Sequence, residues 1–295
     1  MENLLDFIGY HDKWHGTVQN SRTPYNYNQN DHLIQEIFRR MGTTEGISVE
    51  FGAWDGLYNS NTKNLIDEGW YSIQIEPDIR KFQELQRTYS GNSRVTCLNK
   101  FINTTDSLFD DIVSGSFISS DRHIDFCSID IDGLDLEVFE TFEKNLPNVV
   151  CIEGGQMLHP FHPRVGPHIA QNNIQQSLST MNEVFSRKGY RVICSYQDSF
   201  FVKEEFYHLF DVSESLMNLY LDGLETLPKV PWIQKKLEEV GLSNAVLEAI
   251  ISKVSLPIFH FVKEKGTKTH KMAWVDQNYD TILETLTSLR EPEGE

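Results

Sequence analysis

Between residues 46 and 203 the chain alternates short apolar runs with longer amphipathic stretches. The apolar runs are rich in β-branched and aromatic residues and predict strands at 47–51, 71–75, 94–98, 124–130, 149–152, 190–195 and 200–203. The intervening stretches repeat apolar residues at helical spacing and predict helices at 60–68, 78–89, 105–114, 136–144 and 174–188. Strands that alternate with helices in this way indicate βαβ units in a largely parallel sheet.

The last two predicted strands differ from the others, because residues 196–199 leave no room for a helix between them. Such a short connection favours an antiparallel pair. The predicted fold class is therefore α/β, with a doubly wound, mostly parallel sheet of seven strands that ends in an antiparallel hairpin. We divide the chain into an N-terminal loop and helix extension (1–45), a core (46–207) and a helical C-terminal subdomain (208–295).

The C-terminal subdomain contains an amphipathic stretch at 243–254 that gathers its apolar residues on one face. This face can cap the core, form a lid over a substrate or serve as the interface of a homo-oligomer. In the N-terminal extension, apolar residues on one face predict a further helix at 32–40.

Charge and cysteine content narrow the classes of function. The 295 residues include 26 Lys and Arg against 43 Asp and Glu, a net charge of −17. So acidic a chain gains little from phosphate contacts, so we expect no nucleic-acid or membrane partner. The start has no basic and apolar leader pattern, and no apolar run approaches the ~18 residues that span a bilayer. Cys97, Cys127, Cys151 and Cys194 fall in or beside predicted strands, which favours reduced core thiols and a cytoplasmic location.

A glycine turn directly follows the first predicted strand. Gly52 and Gly56 flank it, and Glu50 precedes it. Ligands of open α/β sheets bind at the carboxyl ends of strands, and this spacing fits neither the dinucleotide fingerprint nor a P-loop. An acid here suits a cationic ligand, and S-adenosylmethionine carries both a sulfonium and an ammonium group. An ordinary tight turn is the alternative.

A second acid, Glu76, ends the second predicted strand, where a carboxylate can accept hydrogen bonds from both ribose hydroxyls of an adenosine group. The alternative role for an acid in this segment is to cap the helix that begins near residue 79. Asp78 is better placed for the cap, so we assign Glu76 to the cofactor.

Three acids follow the fourth and fifth predicted strands. Asp130 and Asp132 alternate at the end of one, and Glu153 lies at the end of the next. Neighbouring strands are ~4.8 Å apart, so these carboxylates can converge and bind a divalent cation such as Mg²⁺ or Mn²⁺. Hydrogen bonding to the cofactor or substrate without metal is an equally open interpretation. Capping by Asp135 would explain one acid, and the D-x-D pattern keeps a metal-dependent glycosyltransferase open.

The loop at 157–168 is rich in histidine and proline. A histidine here could act as a general base near neutral pH, and His159 is the first choice because it is nearest the strand end. His162 is the second choice. A stiff surface loop with incidental histidines is the alternative.

Several blocks of the core resemble the FkbM-like branch of class I S-adenosylmethionine-dependent methyltransferases. The matching blocks are 49–56, 60–62, 69–70, 75–76, 128–133, 152–153, 188–190 and 199–202, with a further likeness at 27–31 and 34–38. The resemblance implies the class I methyltransferase fold and O-methylation of a hydroxyl on a small-molecule or oligosaccharide acceptor. Gly155 departs from the pattern, because many relatives have Asn there.

The resemblance and the residue patterns together define a candidate site, with S-adenosylmethionine as cofactor and Mg²⁺ or Mn²⁺ as the candidate metal. The cofactor-binding candidates are Glu50, Gly52, Ala53, Asp55, Gly56, Asn61, Thr62, Glu76, Pro77 and Phe101. The metal candidates are Asp130, Asp132 and Glu153, and the catalytic candidates are Asp130, His159 and His162. A non-catalytic module with the same fold, part of a glycan assembly complex, remains an alternative.

Overall fold

The computed structural model describes residues 3–8, 25–26, 29–106, 108–114, 123–155, 160–166 and 175–226. Its strands are β1 (Ile47–Phe51), β2 (Tyr71–Ile75), β3 (Val95–Leu98), β4 (Phe126–Ile129), β5 (Val149–Glu153), β6 (Tyr190–Ser195) and β7 (Asp198–Lys203). Its α-helices are α1 (Asn30–Met41), α2 (Lys63–Asp67), α3 (Ile79–Thr88), α4 (Phe109–Ser114), α5 (Asp135–Glu140), α6 (Leu178–Arg187) and α7 (Leu216–Thr226). Short 3-10 helices occupy Leu4–Phe7 and Glu204–Leu209.

The strands form one seven-stranded sheet in the order β3-β2-β1-β4-β5-β7-β6. The first five strands are parallel, whereas β7 runs antiparallel to both β5 and β6. This arrangement confirms the predicted α/β fold class and is the sheet that the sequence resemblance implied. Of the predicted C-terminal subdomain, α7 is described, and the amphipathic stretch at 243–254 lies outside the described residues.

The central strands were predictable because they are buried on both faces. Every residue of β1 is buried, including the polar Ser48 and Glu50. Parallel strands covered by helices on both sides read as continuous apolar runs, which is the pattern seen in the sequence. The cysteines lie in β3, β4, β5 and β6; those of β4, β5 and β6 are buried as expected for core thiols, whereas Cys97 of β3 is half-buried.

The helices of the core are shorter than predicted, whereas α1 is longer than the predicted 32–40. At the end of α5, hydrogen bonds from another element fix the adjoining loop. The helix predicted at 136–144 ends at Glu140. Beyond it, the carboxylate of Asp110 in α4 accepts the backbone N–H groups of Glu143, Lys144 and Asn145 at 2.8–3.0 Å. Backbone donors used in this way are withdrawn from helical hydrogen bonds.

The helix α1 packs against the core through a stripe of apolar residues. Leu33, Ile34 and Ile37 are completely buried, and Phe38 packs against Trp70 with ring centroids 4.7 Å apart. Gly42 ends the helix in the left-handed conformation, with φ of 71°. None of the helices in the described ranges is both long and apolar enough to cross a bilayer.

An aromatic stack joins α5 and α6 to the sheet. Phe139, Phe185 and Phe201 are completely buried, and their rings stack at centroid separations of 3.8 Å. Buried aromatic side chains contribute large apolar areas to a core, and their pairing adds to that contribution. The stack therefore anchors helices α5 and α6 against strand β7.

We expect Phe139→Ala to lower the free energy of unfolding by about 3–5 kcal/mol, because it removes a buried ring and leaves a cavity. Phe161 is half exposed, so Phe161→Ala should change stability by less than about 0.5 kcal/mol. Urea denaturation of both variants measures the difference. Equal effects of the two substitutions would contradict the described packing.

Candidate functional site

A cavity of ≈ 610 Å³ opens at the carboxyl ends of the strands. Its walls come from the residues that follow β1, β2, β3 and β4. Consecutive strands proceed outward from β1 to β3, and the chain then returns to place β4 on the other side of β1. This reversal is the topological switch point at which open α/β sheets bind ligands. The predicted site residues that line it are Glu50, Gly52, Asn61, Glu76, Pro77, Phe101, Asp130 and Asp132.

Glycine is required at residue 52 by the close approach of the ends of β1 and β4. Gly52 has φ of 67°, and a Cβ atom there would lie 2.1 Å from the backbone oxygen of Asp130. At Gly56, with φ of 78°, a Cβ atom would lie 2.5 Å from the ring of Tyr89 in the loop after α3. The absence of a side chain at Gly52 thus lets the turn pack against the end of β4, and its absence at Gly56 lets the turn pack against Tyr89.

The buried carboxylate of Glu50 anchors the loop that follows this turn. It accepts hydrogen bonds from the Ser60 hydroxyl at 2.8 Å, from the Asn61 backbone N–H at 2.6 Å and from the Thr62 hydroxyl. Burial raises the pKa of Glu50, although these three donors oppose the shift. Its predicted affinity for a cationic ligand stays a prediction.

Glu76 is held at the cavity wall by two backbone donors. Its Oε2 accepts from the Trp54 N–H at 2.9 Å, and its Oε1 accepts from the Asp78 N–H at 2.8 Å. Asp78 in turn caps α3 by accepting from the N–H groups of Arg80 and Lys81. The assignment of the cap to Asp78 is thereby confirmed, and Glu76 lines the cavity as expected.

Three aromatic side chains at the cavity are unusually exposed. Trp54, Tyr58 and Phe101 are 43%, 54% and 67% exposed, and all three line the cavity. Trp54 has a positive φ of 49°, and the Lys81 ammonium lies 4.5 Å from its ring centroid. Exposed apolar groups gathered around a concave site are typical of ligand binding.

Four predicted cofactor residues lie behind the cavity wall instead of lining it. They are Ala53, Asp55, Gly56 and Thr62. Ala53 and Thr62 are buried, whereas the carboxylate of Asp55 accepts the backbone N–H groups of Leu57 and Tyr58. The turn uses these groups for its own packing and hydrogen bonds, and their direct contact with a cofactor stays a prediction.

The acid cluster forms, but with a different third member. Carboxylate oxygens of Asp130, Asp135 and Glu153 lie within 4.8 Å of one another. Asp132, predicted as a ligand, has φ of 58° and lines the main cavity. The alternation of a strand does not continue into this tight turn. The carboxylate of Asp135 folds back to accept from the N–H groups of Ile131 and Gly133, instead of capping α5.

Burial raises the pKa values of the three carboxyl groups in this cluster, and repulsion from neighbouring acids adds to the rise at Asp130 and Glu153. Burial, followed by the charge of Glu153, raises the pKa of Asp130 well above its usual range. Burial and the charge of Asp198 raise the pKa of Glu153 to about 8. Burial also raises the pKa of Asp135 to about 6. The cluster therefore holds protons near neutral pH, or would be neutralised by a cation.

Neither candidate base is among the described residues that line the main cavity. His159 lies outside them. His162 lines a separate cavity of ≈ 310 Å³ together with Phe161 and Arg164. Its backbone oxygen accepts from the Ser177 hydroxyl at 2.7 Å, which fixes the loop in that position. His162 is therefore not placed to act as a base on a ligand in the main cavity.

Sequence reasoning missed a group of buried polar residues upstream of the core. Asn26 and Asn30 contact the loop after β1, and Asp31 accepts from the Tyr25 N–H at 2.9 Å and from Asn64 Nδ2 at 2.8 Å. The signals in the sequence were the likeness at 27–31 and a polar stretch without periodicity that runs into the start of α1. Such residues are recognisable as part of the site only when their distant partners are known.

Comparison with known proteins finds likenesses among solved structures. No protein-family profile and no curated protein sequence matches the chain. An S-adenosylmethionine-dependent methyltransferase from Aquifex aeolicus is 12% identical, with a TM-score of 0.38, over 59% of this chain and 87% of that one. A TehB-like S-adenosylmethionine-dependent methyltransferase from Corynebacterium glutamicum is 9% identical, with a TM-score of 0.36, over 57% and 85%. Likenesses at this level carry no argument about activity.

The pH dependence of stability tests the buried state of Asp31. Burial raises its pKa from 3.8 to about 7, so the folded chain holds this proton more tightly than the unfolded chain. The Asp31 contribution to the free energy of unfolding therefore falls as the pH rises from about 4 to about 7. The stability of Asp31→Asn relative to the wild type should therefore rise by about 3 kcal/mol between pH 5 and pH 9, because the amide cannot ionise.

Urea denaturation at both pH values measures this effect, with Glu45→Gln as the control because Glu45 is exposed. A pH-independent effect of Asp31→Asn would show that the carboxyl is not buried as described.

Proposed function

We propose that the chain is an S-adenosylmethionine-dependent O-methyltransferase of the FkbM-like type that acts on a hydroxyl of a sugar or glycan. The observation that carries the proposal is the cavity at the switch point. One side of it is formed by Gly52, Glu76 and Phe101, and the other side by Asp130. Its volume of ≈ 610 Å³ is typical of cavities that bind a small-molecule ligand.

The cofactor side fits an adenosine group. Glu76 presents a carboxylate whose orientation is fixed by two backbone donors, and carboxylate oxygens can accept further hydrogen bonds from ribose hydroxyls. The exposed ring of Phe101 offers a flat apolar surface for adenine. At Gly52 a ligand can approach the backbone, since no side chain covers it.

Exposed aromatic rings at the cavity support a sugar hydroxyl as the acceptor. Trp54 and Tyr58 expose aromatic surface at the cavity, and the apolar faces of sugar rings pack on aromatic rings. The net charge of −17 and the acid cluster disfavour polyanionic acceptors such as nucleic acids. The resemblance of the core to FkbM-like methyltransferases supports the same substrate class.

Bound S-adenosylmethionine supplies an electrophilic methyl group. The chain has to hold the acceptor oxygen in line with that methyl carbon, so positioning by the cavity walls provides much of the catalysis. Asp130 lines the cavity and belongs to the acid cluster, which supports its role as the proton acceptor for the acceptor hydroxyl. Burial and the charge of Glu153 raise the pKa of Asp130, and a higher pKa makes a carboxylate a stronger base.

The acid cluster also fits a divalent cation. Asp130, Asp135 and Glu153 supply closely spaced carboxylate oxygens, which are the ligands that Mg²⁺ and Mn²⁺ prefer. Such a cation would relieve the repulsion among the acids and lower the pKa of a nearby hydroxyl. The amide of Gln175 already donates to Glu153 and orients it.

Calorimetric titration tests cofactor binding. We expect the wild type to bind S-adenosylmethionine and Phe101→Ala to bind it about tenfold more weakly, because a stacked aromatic contact of the order of 1 kcal/mol or more is lost. Phe161→Ala is the matched control, since Phe161 is also half exposed but lies at the other cavity. Gly52→Arg should abolish binding. Absence of binding by the wild type would refute the proposed function.

Transfer of labelled methyl to a panel of saccharides tests the reaction. We expect label on a saccharide hydroxyl and a loss of about 10²-fold in kcat for Asp130→Asn, which removes the proton acceptor. A chelator should abolish transfer, and added Mg²⁺ or Mn²⁺ should restore it, if the cluster acts through a cation. Transfer that a chelator leaves unchanged would remove the metal from the proposal while keeping the methyltransferase.

A further inference from the structure

A buried side chain from the N-terminal segment holds the loop that lines the cofactor side of the cavity. Asn26 is 1% exposed. Its Nδ2 donates to the Asn59 backbone oxygen at 3.0 Å and to Asn61 Oδ1 at 2.7 Å. Asn59 and Asn61 both line the cavity, and Asn59 has a positive φ of 57°. A strained backbone of this kind persists only where its surroundings fix it.

A second amide connects that loop to the other side of the sheet edge. Asn30 is completely buried, and its Nδ2 donates to Asn61 Oδ1 at 3.1 Å and to a carboxylate oxygen of Asp198. Its Oδ1 accepts from the Tyr196 hydroxyl. Asp198 is the first residue of β7 and pairs in register with Glu153 of the acid cluster. Asn30 thus contacts both the loop at 59–61, which we call the cofactor loop, and strand β7, which pairs with the strand that carries Glu153.

The position of Asn61 depends on all of these contacts. Its own Nδ2 donates to the Ser128 hydroxyl in β4 at 2.8 Å, and its backbone N–H donates to Glu50. Apart from Asn59, which is half-buried, the members of this network are buried, so water cannot replace their lost partners. Removal of one amide leaves buried donors or acceptors unpaired, which costs more than the hydrogen bond itself contributed.

We infer that Asn26 and Asn30 are positioning residues of the proposed methyltransferase site: Asn26 sets the cofactor loop through Asn59 and Asn61, and Asn30 couples that loop to the acid cluster through Asp198. The inference rests on the proposed function. It makes Asn26 and the first residue of α1 part of the site, although neither amide is among the residues that line the cavity.

The test compares single amide substitutions in the full-length chain. We expect Asn26→Ala to raise the KM and the calorimetric Kd for S-adenosylmethionine about tenfold with little change in kcat, since both hydrogen bonds that its Nδ2 donates go to the cofactor loop. Asn30→Ala should raise KM and also lower kcat about tenfold, because it releases Asp198 as well.

Asn64→Ala is the matched control. Asn64 is a buried amide that ties the same N-terminal segment to α2 through Asp31, but it contacts neither the cavity-lining loop nor Asp198. It should lower the melting temperature about as much as Asn26→Ala and leave KM and Kd unchanged. Asn26→Asp preserves the shape of the side chain while removing its donor, and it provides the same measurement if the alanine variant does not fold.

The outcomes separate the inference from the proposed function. Wild-type binding with a Kd that Asn26→Ala, Asn26→Asp and Asn30→Ala leave unchanged overturns the inference alone and assigns these amides to stability. A rise in Kd for Asn64→Ala equal to that for Asn26→Ala also overturns it, because the effect would then be general loosening. A wild-type chain that binds no S-adenosylmethionine overturns both.

Discussion

The close approach of β1 and β4 at the switch point is the constraint on which the rest of the site depends. The backbone of Gly52 lies so near the Asp130 carbonyl that no residue with a Cβ atom fits at this position. Because the two strand ends touch, the segments that follow them must diverge, and the crevice between them becomes the cavity. The glycine turn and the acidic strand end, which are distant in sequence, therefore form opposite walls of one site.

This arrangement gathers carboxylates at a largely buried edge, and the chain stabilises them in two ways. Burial raises the pKa of Glu50 and of Glu76, but backbone donors of the loops oppose the shift and hold both carboxylates on the cofactor side. Burial also raises the pKa values of Asp130 and Glu153, and there the charges of neighbouring acids add to the shift. A buried carboxylate that accepts several hydrogen bonds holds its loop in place. A buried carboxylate that faces other acids more readily binds a proton or a cation. The two sides of the cavity are thus suited to different tasks.

The sequence predicted the strands well and the loops less well, for a physical reason. Strands buried on both faces appear as apolar runs that need no knowledge of their partners, so β1, β2 and β6 were predicted with their observed bounds. Alternation of side chains holds only within a strand. A prediction based on alternation therefore does not extend beyond Ile129, where a tight turn moves Asp132 to the main cavity and folds Asp135 back into the acid cluster.

The polar network around Asn61 could not be predicted from the sequence, because its members have no periodicity and their partners are far away in the chain. Asn30 meets Asp198 from across most of the core, and Asn26 meets Asn61 across the predicted boundary of the N-terminal extension. Burial of these amides is favourable only when all partners are present together. The network therefore forms cooperatively with the fold, and any ligand that orders the loop after β1 also stabilises the start of α1.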